Sequence, residues 1–317
     1  MRAIVIEQFG GPETLKVLEV PTPEPGPGEV RIRIAASGIN PVDWKIREGF
    51  LSKALPHRFP LIPGWECAGT IDAIGEGASR FQRGDAVYAY TRKPEVQGGT
   101  YAEYVVVPES SVAAKPKTLL LHEAASVPLA GLTAHQALFR RQTDVGPGRT
   151  VLVHAASGGV GMFGVQLAKY AGATVIGTAG PDNQDFIRSL GVDHAIDYRA
   201  GDVRAAVRAI APEGVDVVFD CVGGATQALS YELVKAGGRL VSVVDTPKAD
   251  EAKAKGLREA YYHFVEPNAE ELAALGELID AGKIRTHVSS ILPLAEAALA
   301  QKNSRDGRTR GKAVLVL

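Results

Sequence analysis

The chain reads as an α/β protein with a doubly wound parallel sheet and a barrel-like β domain. Three observations predict this. From Val151 onward, short apolar strands alternate with helix-length segments, as parallel strands joined by crossover helices do. The first third is rich in β-branched runs punctuated by Gly and Pro. Strand-like sequence then returns at His287–Ile291 and Ala313–Leu317, so the doubly wound domain is expected to be inserted into the β domain. The boundaries read as 1–121 for the first part of the β domain, 122–266 for the doubly wound domain and 267–317 for the return.

Taken in order, Ala3–Ile6, Leu15–Val20 and Val30–Ala35 are the opening strands. Pro21–Gly28 has the composition of a linker. Val30-Arg-Ile-Arg-Ile34 alternates strictly just after it, as a half-buried strand does, so the segment reads as a turn. Thr70–Ile74, Ala86–Tyr90 and Tyr101–Pro108 continue the pattern, with Gly75, Gly77, Gly84, Gly98 and Gly99 at turns. His122–Val127 and Leu132–Arg141 read as helices. The alternation then runs through strands Val151–Ala155, Thr174–Thr178, His194–Asp197, Asp216–Asp220 and Arg239–Val244. Between them lie helices Gly159–Ala171, Asp182–Leu190, Asp202–Ala211 and Ala225–Ala236. Tyr261–Val265 supplies a sixth strand and Glu270–Ala281 a last helix. Two stretches, Phe50–Pro60 and Asp245–Glu259, read as loops, the second being either a lid or simply exposed.

Composition excludes several classes. Of 317 residues, 45% are hydrophobic and 22% charged, which is enough apolar material for full cores. Lys plus Arg number 35 against 36 Asp plus Glu, a formal charge of −1, so no basic excess draws the chain to nucleic acid or acidic membranes. Cys67 and Cys221 alone cannot build a disulfide framework or a four-thiolate zinc site. No apolar run approaches the roughly 20 residues that span a bilayer, and Met1–Glu7 reads as a strand without a signal-peptide layout. A cytoplasmic protein is expected.

Val151-Leu-Val-His-Ala-Ala-Ser-Gly-Gly-Val-Gly161 is a strand, a glycine-rich turn and the start of a helix. Its spacing, Ala156-x-Gly158-x-x-Gly161, is the dinucleotide fingerprint with alanine in place of the first glycine. Gly158 would let backbone approach a pyrophosphate, Gly161 would let the helix pack on the strand, and the helix start would present free N–H groups to the anion. Ser157, Gly159 and Val160 complete the turn. The ribose-reading position at the end of the next strand, Gly177-Thr178-Ala179-Gly180, carries no acid, which leaves room for a 2′-phosphate and points to NADPH. Asp182 just beyond reads as a helix N-cap, and Arg188 and Arg199 are the candidate phosphate partners.

Asn40-Pro-Val-Asp-Trp-Lys45, Pro63-Gly-Trp-Glu-Cys-Ala-Gly69, Gly84-Asp-Ala-Val-Tyr88 and Gly99-Thr-Tyr-Ala-Glu-Tyr-Val105 precede Gly131-Leu-Thr-Ala-His135 and the glycine-rich turn. In this order they resemble the medium-chain dehydrogenases/reductases, and most closely the zinc-free quinone oxidoreductase (zeta-crystallin-like) branch with its enone and alkenal reductases. Phe264-Val-Glu-Pro-Asn268 and Gly311-Lys-Ala-Val-Leu315 fit as well, so the resemblance spans essentially the whole chain. It implies a GroES-like β domain, a Rossmann domain that binds NADPH, and a homodimer formed through the Tyr261–Val265 edge strand.

Where zinc alcohol dehydrogenases carry their ligands, this chain has Asn40, Trp65 and, at about the third position, Leu129. An amide, an indole and an alkyl group cannot replace thiolate, imidazole or carboxylate. Gly84–Val105 contains no Cys, and no two of the seven histidines are three to five residues apart. No metal is expected, and without a Lewis acid to ionise an alcohol, reduction of an electron-poor quinone or α,β-unsaturated carbonyl is the expected chemistry. Hydride addition puts negative charge on the substrate oxygen, which preorganised donors must meet.

The resemblance places Asn40 and Lys45 on the segment lining the substrate cleft, with Lys45 where several quinone reductases have Tyr. Lys45 is either the donor to that oxygen or a solvated helix lysine. Asp43 reads as an N-cap or structural partner rather than an acid–base group. Trp44 and Trp65 are either walls for a flat substrate or core packing. Thr133 resembles the family residue near the nicotinamide, Tyr198 the adenosine-side tyrosine, and Lys312 the lysine that closes over the cofactor. Cys221, Val222 and Val243 fall at strand ends, on the carboxyl edge where ligands bind doubly wound sheets. The competing readings are a reductase of larger acyl or polyketide substrates and a non-catalytic NADPH-binding protein.

Overall fold

The computed structural model describes residues 1–141 and 145–317. The chain forms two compact units. One comprises Met1–Leu132, Glu266–Gly282 and Thr286–Leu317, and the other Thr133–Val265 with Lys283–Arg285. The chain leaves the first unit inside a helix, whereas the shift in composition falls near residue 122.

The first unit opens with β1 (Arg2–Val5), β2 (Lys16–Glu19), β3 (Glu29–Gly38), α1 (Pro41–Arg47), β4 (His57–Ile62) and β5 (Glu66–Ile74). It continues through β6 (Ala86–Tyr90), β7 (Val96–Gly98), β8 (Tyr104–Pro108), β9 (Val112–Ala114), α2 (Leu121–Ala124) and α3 (Pro128–Phe139). The second unit holds β10 (Thr150–Val153), α4 (Gly159–Tyr170), β11 (Thr174–Ala179), α5 (Gln184–Ser189), β12 (His194–Asp197) and α6 (Val203–Ile210). It is completed by β13 (Val215–Asp220), α7 (Gly224–Leu233), β14 (Val234–Ser242), α8 (Ala249–Ala254) and β15 (Glu259–Tyr262). The return consists of α9 (Ala269–Asp280), β16 (Val288–Pro293), α10 (Ala297–Arg305) and β17 (Lys312–Val316).

In the first unit, a seven-stranded sheet has the order β16-β17-β3-β5-β6-β9, with β8 also pairing β3. β3 is long enough to pair along its length with β5, β8 and β17, and register shifts at Arg31/Ile32 and Ile34/Ala36 let it bend. The inward residues of its alternation, Val30, Ile32 and Ile34, pack with Ile71, Val87, Val105 and Val107 in a dry core. Each such side chain contributes roughly 1.5–3 kcal/mol by burial.

The second unit is a six-stranded sheet of order β12-β11-β10-β13-β14-β15, in which every pair is parallel. Its strands are buried on both faces and therefore apolar almost throughout; all of Val215–Asp220 is buried. Chain order reverses between β10 and β13, and ligands of such sheets bind outside the carboxyl ends of the strands at that reversal.

Several elements escape a reading by periodicity. The Asp245–Glu259 stretch, expected as a lid or exposed loop, contains α8, whose Ala252 packs into the core beside the partly buried Leu257. α10 buries Ala297 and Ala300, side chains too small to make a strong apolar stripe. α7 ends at Leu233 and not at Ala236, because Val234 already pairs with Val215 in the sheet. Among the described residues, no helix is long and apolar enough to cross a membrane.

Candidate functional site

The glycine-rich turn of the second unit is built as its spacing requires. β10 ends at Val153, and α4 starts at Gly159 after Gly158 in extended conformation (φ −80°, ψ 172°). Gly158 N–H donates to Ala155 O at 2.9 Å, and the first helical bond runs from Met162 N–H to Gly158 O at 2.9 Å. The amides of Gly159, Val160 and Gly161 are thereby left as the open start of the helix, with the positive end of its dipole. Ser157 to Val160 are partly exposed, while Gly161 is buried. A Cβ on Gly161 would stand 2.1 Å from Ala155 O and 2.9 Å from its carbonyl carbon, so helix and turn touch through bare backbone. Such a cradle fits a pyrophosphate. Gly161→Ala is expected to weaken dinucleotide binding by about five- to about 150-fold, the range for overpacking of about 1–3 kcal/mol. A fluorescence titration checks this.

At the carboxyl end of β11, Gly180 has no side chain. The point its Cβ would occupy lies 3.7 Å from Tyr198 Oη and 3.9 Å from both Arg199 Cζ and Nε. Tyr198 is 49% exposed, and the Arg199 guanidinium lies 5.5 Å from its ring centroid. Arg199 has no ion-pair partner among the described residues. Arg188 is paired with Asp185 on α5 at 2.9 Å. Of the two candidate cations, Arg199 is therefore the one beside the ribose-reading position.

The rest of this sheet edge is held by buried polar groups that periodicity does not reveal. Asp220, fully buried, accepts from Val222 N–H and Gly223 N–H at 2.9 Å and from Ser242 Oγ at 2.8 Å. It fixes the segment carrying Cys221, which is half-buried, and Val222, which is 46% exposed; Val243 is half-buried alongside. The visible signal for Asp220 is a carboxylate that closes the apolar run Val217–Phe219. Thr178 and Ala179 are buried, and Thr178 Oγ1 accepts from Ala155 N–H at 3.3 Å, inside the fold. Thr133, on the part of α3 in this unit, is buried as well.

The first unit contains a different cluster. Asn40 precedes α1, and Pro41 begins it; Asp43 accepts the Asn40 backbone N–H at 2.8 Å and Tyr101 Oη–H at 2.9 Å. Burial pushes the Asp43 carboxyl up to about 7, against those two bonds, which favour its anion. The structural-partner reading of Asp43 matches this placement.

Asn40 and Lys312 belong to one buried hydrogen-bonded cluster. The Asn40 amide donates to Glu66 Oε1 at 2.7 Å, and its oxygen accepts from Lys312 Nζ at 2.5 Å. Lys312 Nζ also donates to Glu66 Oε1 at 2.7 Å and to Ile39 O at 2.8 Å, which uses all three of its hydrogens. Glu66 Oε2 accepts the Leu129 N–H at 2.7 Å. Glu66 is fully buried, and Asn40 and Lys312 are 3% exposed. A buried carboxylate requires a counter-charge and filled hydrogen bonds, and that demand takes both residues into the frame of the unit. Lys312 thus has its three hydrogens engaged in this cluster, whereas the Asn40 amide has a second N–H beyond the one it gives to Glu66. Glu66, the centre of the cluster, is absent from the sequence-based candidates; its only local signal is an acid opening the otherwise apolar strand Glu66–Gly69.

Lys45 projects differently. It is half-buried at the last turn of α1, 5.7 Å over the Trp44 ring, with no ion pair among the described residues. Arg305 covers the same indole at 5.4 Å, and Phe50 meets it edge-on at 5.9 Å, so Trp44 is a packed ring. Trp65 is 5% exposed and lies edge-on to buried Tyr90 at 6.3 Å. Among the described residues, no three of His, Cys, Asp and Glu gather as a metal-binding group.

The family model described as alcohol dehydrogenase GroES-like domain matches residues 26–117, and that described as zinc-binding dehydrogenase matches residues 190–315. The chain is 34% identical over 325 residues to the chloroplast envelope quinone oxidoreductase homolog of Arabidopsis thaliana, covering 99% of this chain and 98% of that protein. It is 32% identical over 324 residues to the chloroplastic NADPH-dependent alkenal/one oxidoreductase of the same plant, covering 99% of this chain and 79% of that one. The solved quinone oxidoreductase from Coxiella burnetii superposes with a TM-score of 0.89 at 35% identity, covering 100% of this chain and 99% of that one.

Proposed function

Because this chain belongs to the medium-chain dehydrogenase/reductase family, in its quinone oxidoreductase branch, we propose that it transfers hydride from NADPH to quinones or α,β-unsaturated carbonyls. The observation that carries the reading is the backbone cradle at Ala155–Gly161, which only a glycine at 161 permits. NADPH, when bound, supplies the hydride. The open amides of Gly159, Val160 and Gly161 would hold its pyrophosphate, Tyr198 would flank the adenosine, and Thr133, Cys221, Val222 and Val243 would line its path. Lys45, in the first unit, would meet the negative charge that develops on the substrate oxygen.

The choice of NADPH over NADH rests on Gly180, which offers the ribose no carboxylate, and on Arg199 beside it, which makes no ion pair among the described residues. A charge-assisted bond from a guanidinium to a phosphate is about twice as strong as a neutral one. Arg199→Ala is expected to lower kcat/KM for NADPH about tenfold and to leave the NADH value within twofold. Equal losses with both cofactors would remove Arg199 from the selection.

Zinc takes no part in the proposed transfer. Asn40, Trp65 and Leu129 stand at the ligand positions of the zinc enzymes and offer an amide, an indole and an alkyl group. Turnover that survives chelation, with metal analysis of the purified protein, tests this. The homodimer contact is proposed at β15, the edge of the six-stranded sheet, where partly exposed Tyr262 stacks with Phe264; size exclusion decides it. Free Cys67 and Cys221 fit a reducing compartment such as the cytoplasm.

The deciding assay is NADPH oxidation with 9,10-phenanthrenequinone, 1,4-benzoquinone and a simple alkenal. Turnover of at least one is expected. Tight NADPH binding without turnover of any would favour a non-catalytic binding protein.

A further inference from the structure

Ala155 is the only described non-glycine residue with positive φ, at +52°, and it opens the glycine-rich turn. A side chain in that region is strained and persists only when its surroundings over-determine it. The bonds that hold it lead to a residue outside the turn. Ala155 N–H donates to Thr178 Oγ1 at 3.3 Å, and Ala156 N–H to Thr178 O at 2.9 Å. Thr178 Oγ1 in turn lies 3.2 Å from His154 Nδ1. The other ring nitrogen, Nε2, lies 3.2 Å from Ser230 Oγ.

The direction of each bond follows from proton counting. Ser230 Oγ–H donates to Thr226 O at 2.7 Å within α7, so towards His154 it can only accept. Nε2 therefore carries the ring proton. A neutral imidazole has one proton, so Nδ1 accepts, and the Thr178 hydroxyl hydrogen is drawn to it. That leaves the Thr178 oxygen lone pairs for the Ala155 N–H. The ring is 2% exposed, and burial holds its pKa down at about 4, so it is neutral at physiological pH, although the nearby Asp220 opposes the shift.

We propose that His154 is the positioning residue of the glycine-rich turn: as the Nε2–H tautomer it orients the Thr178 hydroxyl, which holds Ala155 in the left-handed conformation that opens the cradle. The proposal rests on the reading of that turn as the dinucleotide site. In it, Thr178 acts on the cofactor through the turn and not by direct contact.

The test uses the intact protein. Without ligand, the histidine 15N spectrum at neutral pH is expected to show His154 as the neutral Nε2–H form. In His154→Phe, hydrogen exchange at the Ala155 amide is expected to accelerate about tenfold, with or without cofactor. NADPH affinity, measured by fluorescence, is expected to fall roughly tenfold, and the KM for NADPH to rise in step. The KM for quinone is expected to stay within twofold, which a general loss of structure would not spare. Thr178→Val is expected to produce the same loss, and the double variant no more than either alone. An Nδ1–H tautomer, unchanged exchange at Ala155, or additive losses would overturn the proposal. If His154→Phe does not fold, His154→Gln and Thr178→Val carry the same measurements. If the wild-type protein binds no NADPH, the functional reading fails, while the tautomer and exchange results still decide the role of His154 in the turn.

Discussion

Lys312→Met is expected to destabilise the fold by about 3–5 kcal/mol, the range for leaving a buried charge without its partner. Glu66 is fully buried, and among the described residues Lys312 is the only cation bonded to it, at 2.7 Å. Lys312 also ties Ile39 O and the Asn40 amide, while the second Glu66 oxygen holds the start of α3 through Leu129 N–H. One ammonium thus links the starts of β17, β5 and α3 with the end of β3. Removal strands a carboxylate and two acceptors together. At about 1.5 °C per kcal/mol for a chain of this size, the thermal midpoint should fall by about 5–8 °C. A second variant separates charge from packing. Glu66→Gln combined with Lys312→Met removes both charges and is expected to be less destabilised than Lys312→Met alone. If Lys312→Met unfolded like the wild-type protein and instead lost NADPH affinity, the cofactor role that the family resemblance implies for this lysine would be supported.

Lys45→Ala is expected to lower kcat/KM for quinone and enone substrates by roughly a hundred- to a thousandfold, the range for losing one transition-state donor. NADPH affinity is expected to stay within twofold, since Lys45 belongs to the first unit and the cradle to the second. The ammonium makes no ion pair among the described residues and rests over Trp44 at 5.7 Å. On the same segment the Asn40 amide is bonded to Glu66 and Lys312, whereas Lys45 carries the positive charge suited to an oxyanion. Lys45→Arg, which keeps the charge, is expected to recover part of the loss. An unchanged kcat/KM in Lys45→Ala would return this residue to the role of a solvated helix lysine.

Legibility in the sequence depends on whether a feature is local. The alternation of strand and helix from β10 to β14 is legible because each element carries its own period and its own turn residues. The bounds expected for β12, His194–Asp197, are the observed ones. The cradle is legible too, because a glycine required by a contact six residues back leaves its mark in a short window. α8 and α10 are not, since Ala252, Ala297 and Ala300 bury surfaces too small to outweigh the charged residues around them.

The polar interior is the least legible part. Asn40 and Lys312 have suitable side chains for a ligand site, and nothing near either in the chain shows that they face each other. Their partnership spans 272 positions, and that of Lys312 with Glu66 spans 246. The amino-acid order alone therefore settles the two kinds of sheet and the bend that would receive a dinucleotide, because both follow from short-range sterics and hydrophobic spacing. Which buried acid meets which base is decided only when the strands come together, because a charge in a dry interior must find its counter-charge across space, wherever the chain happens to bring one.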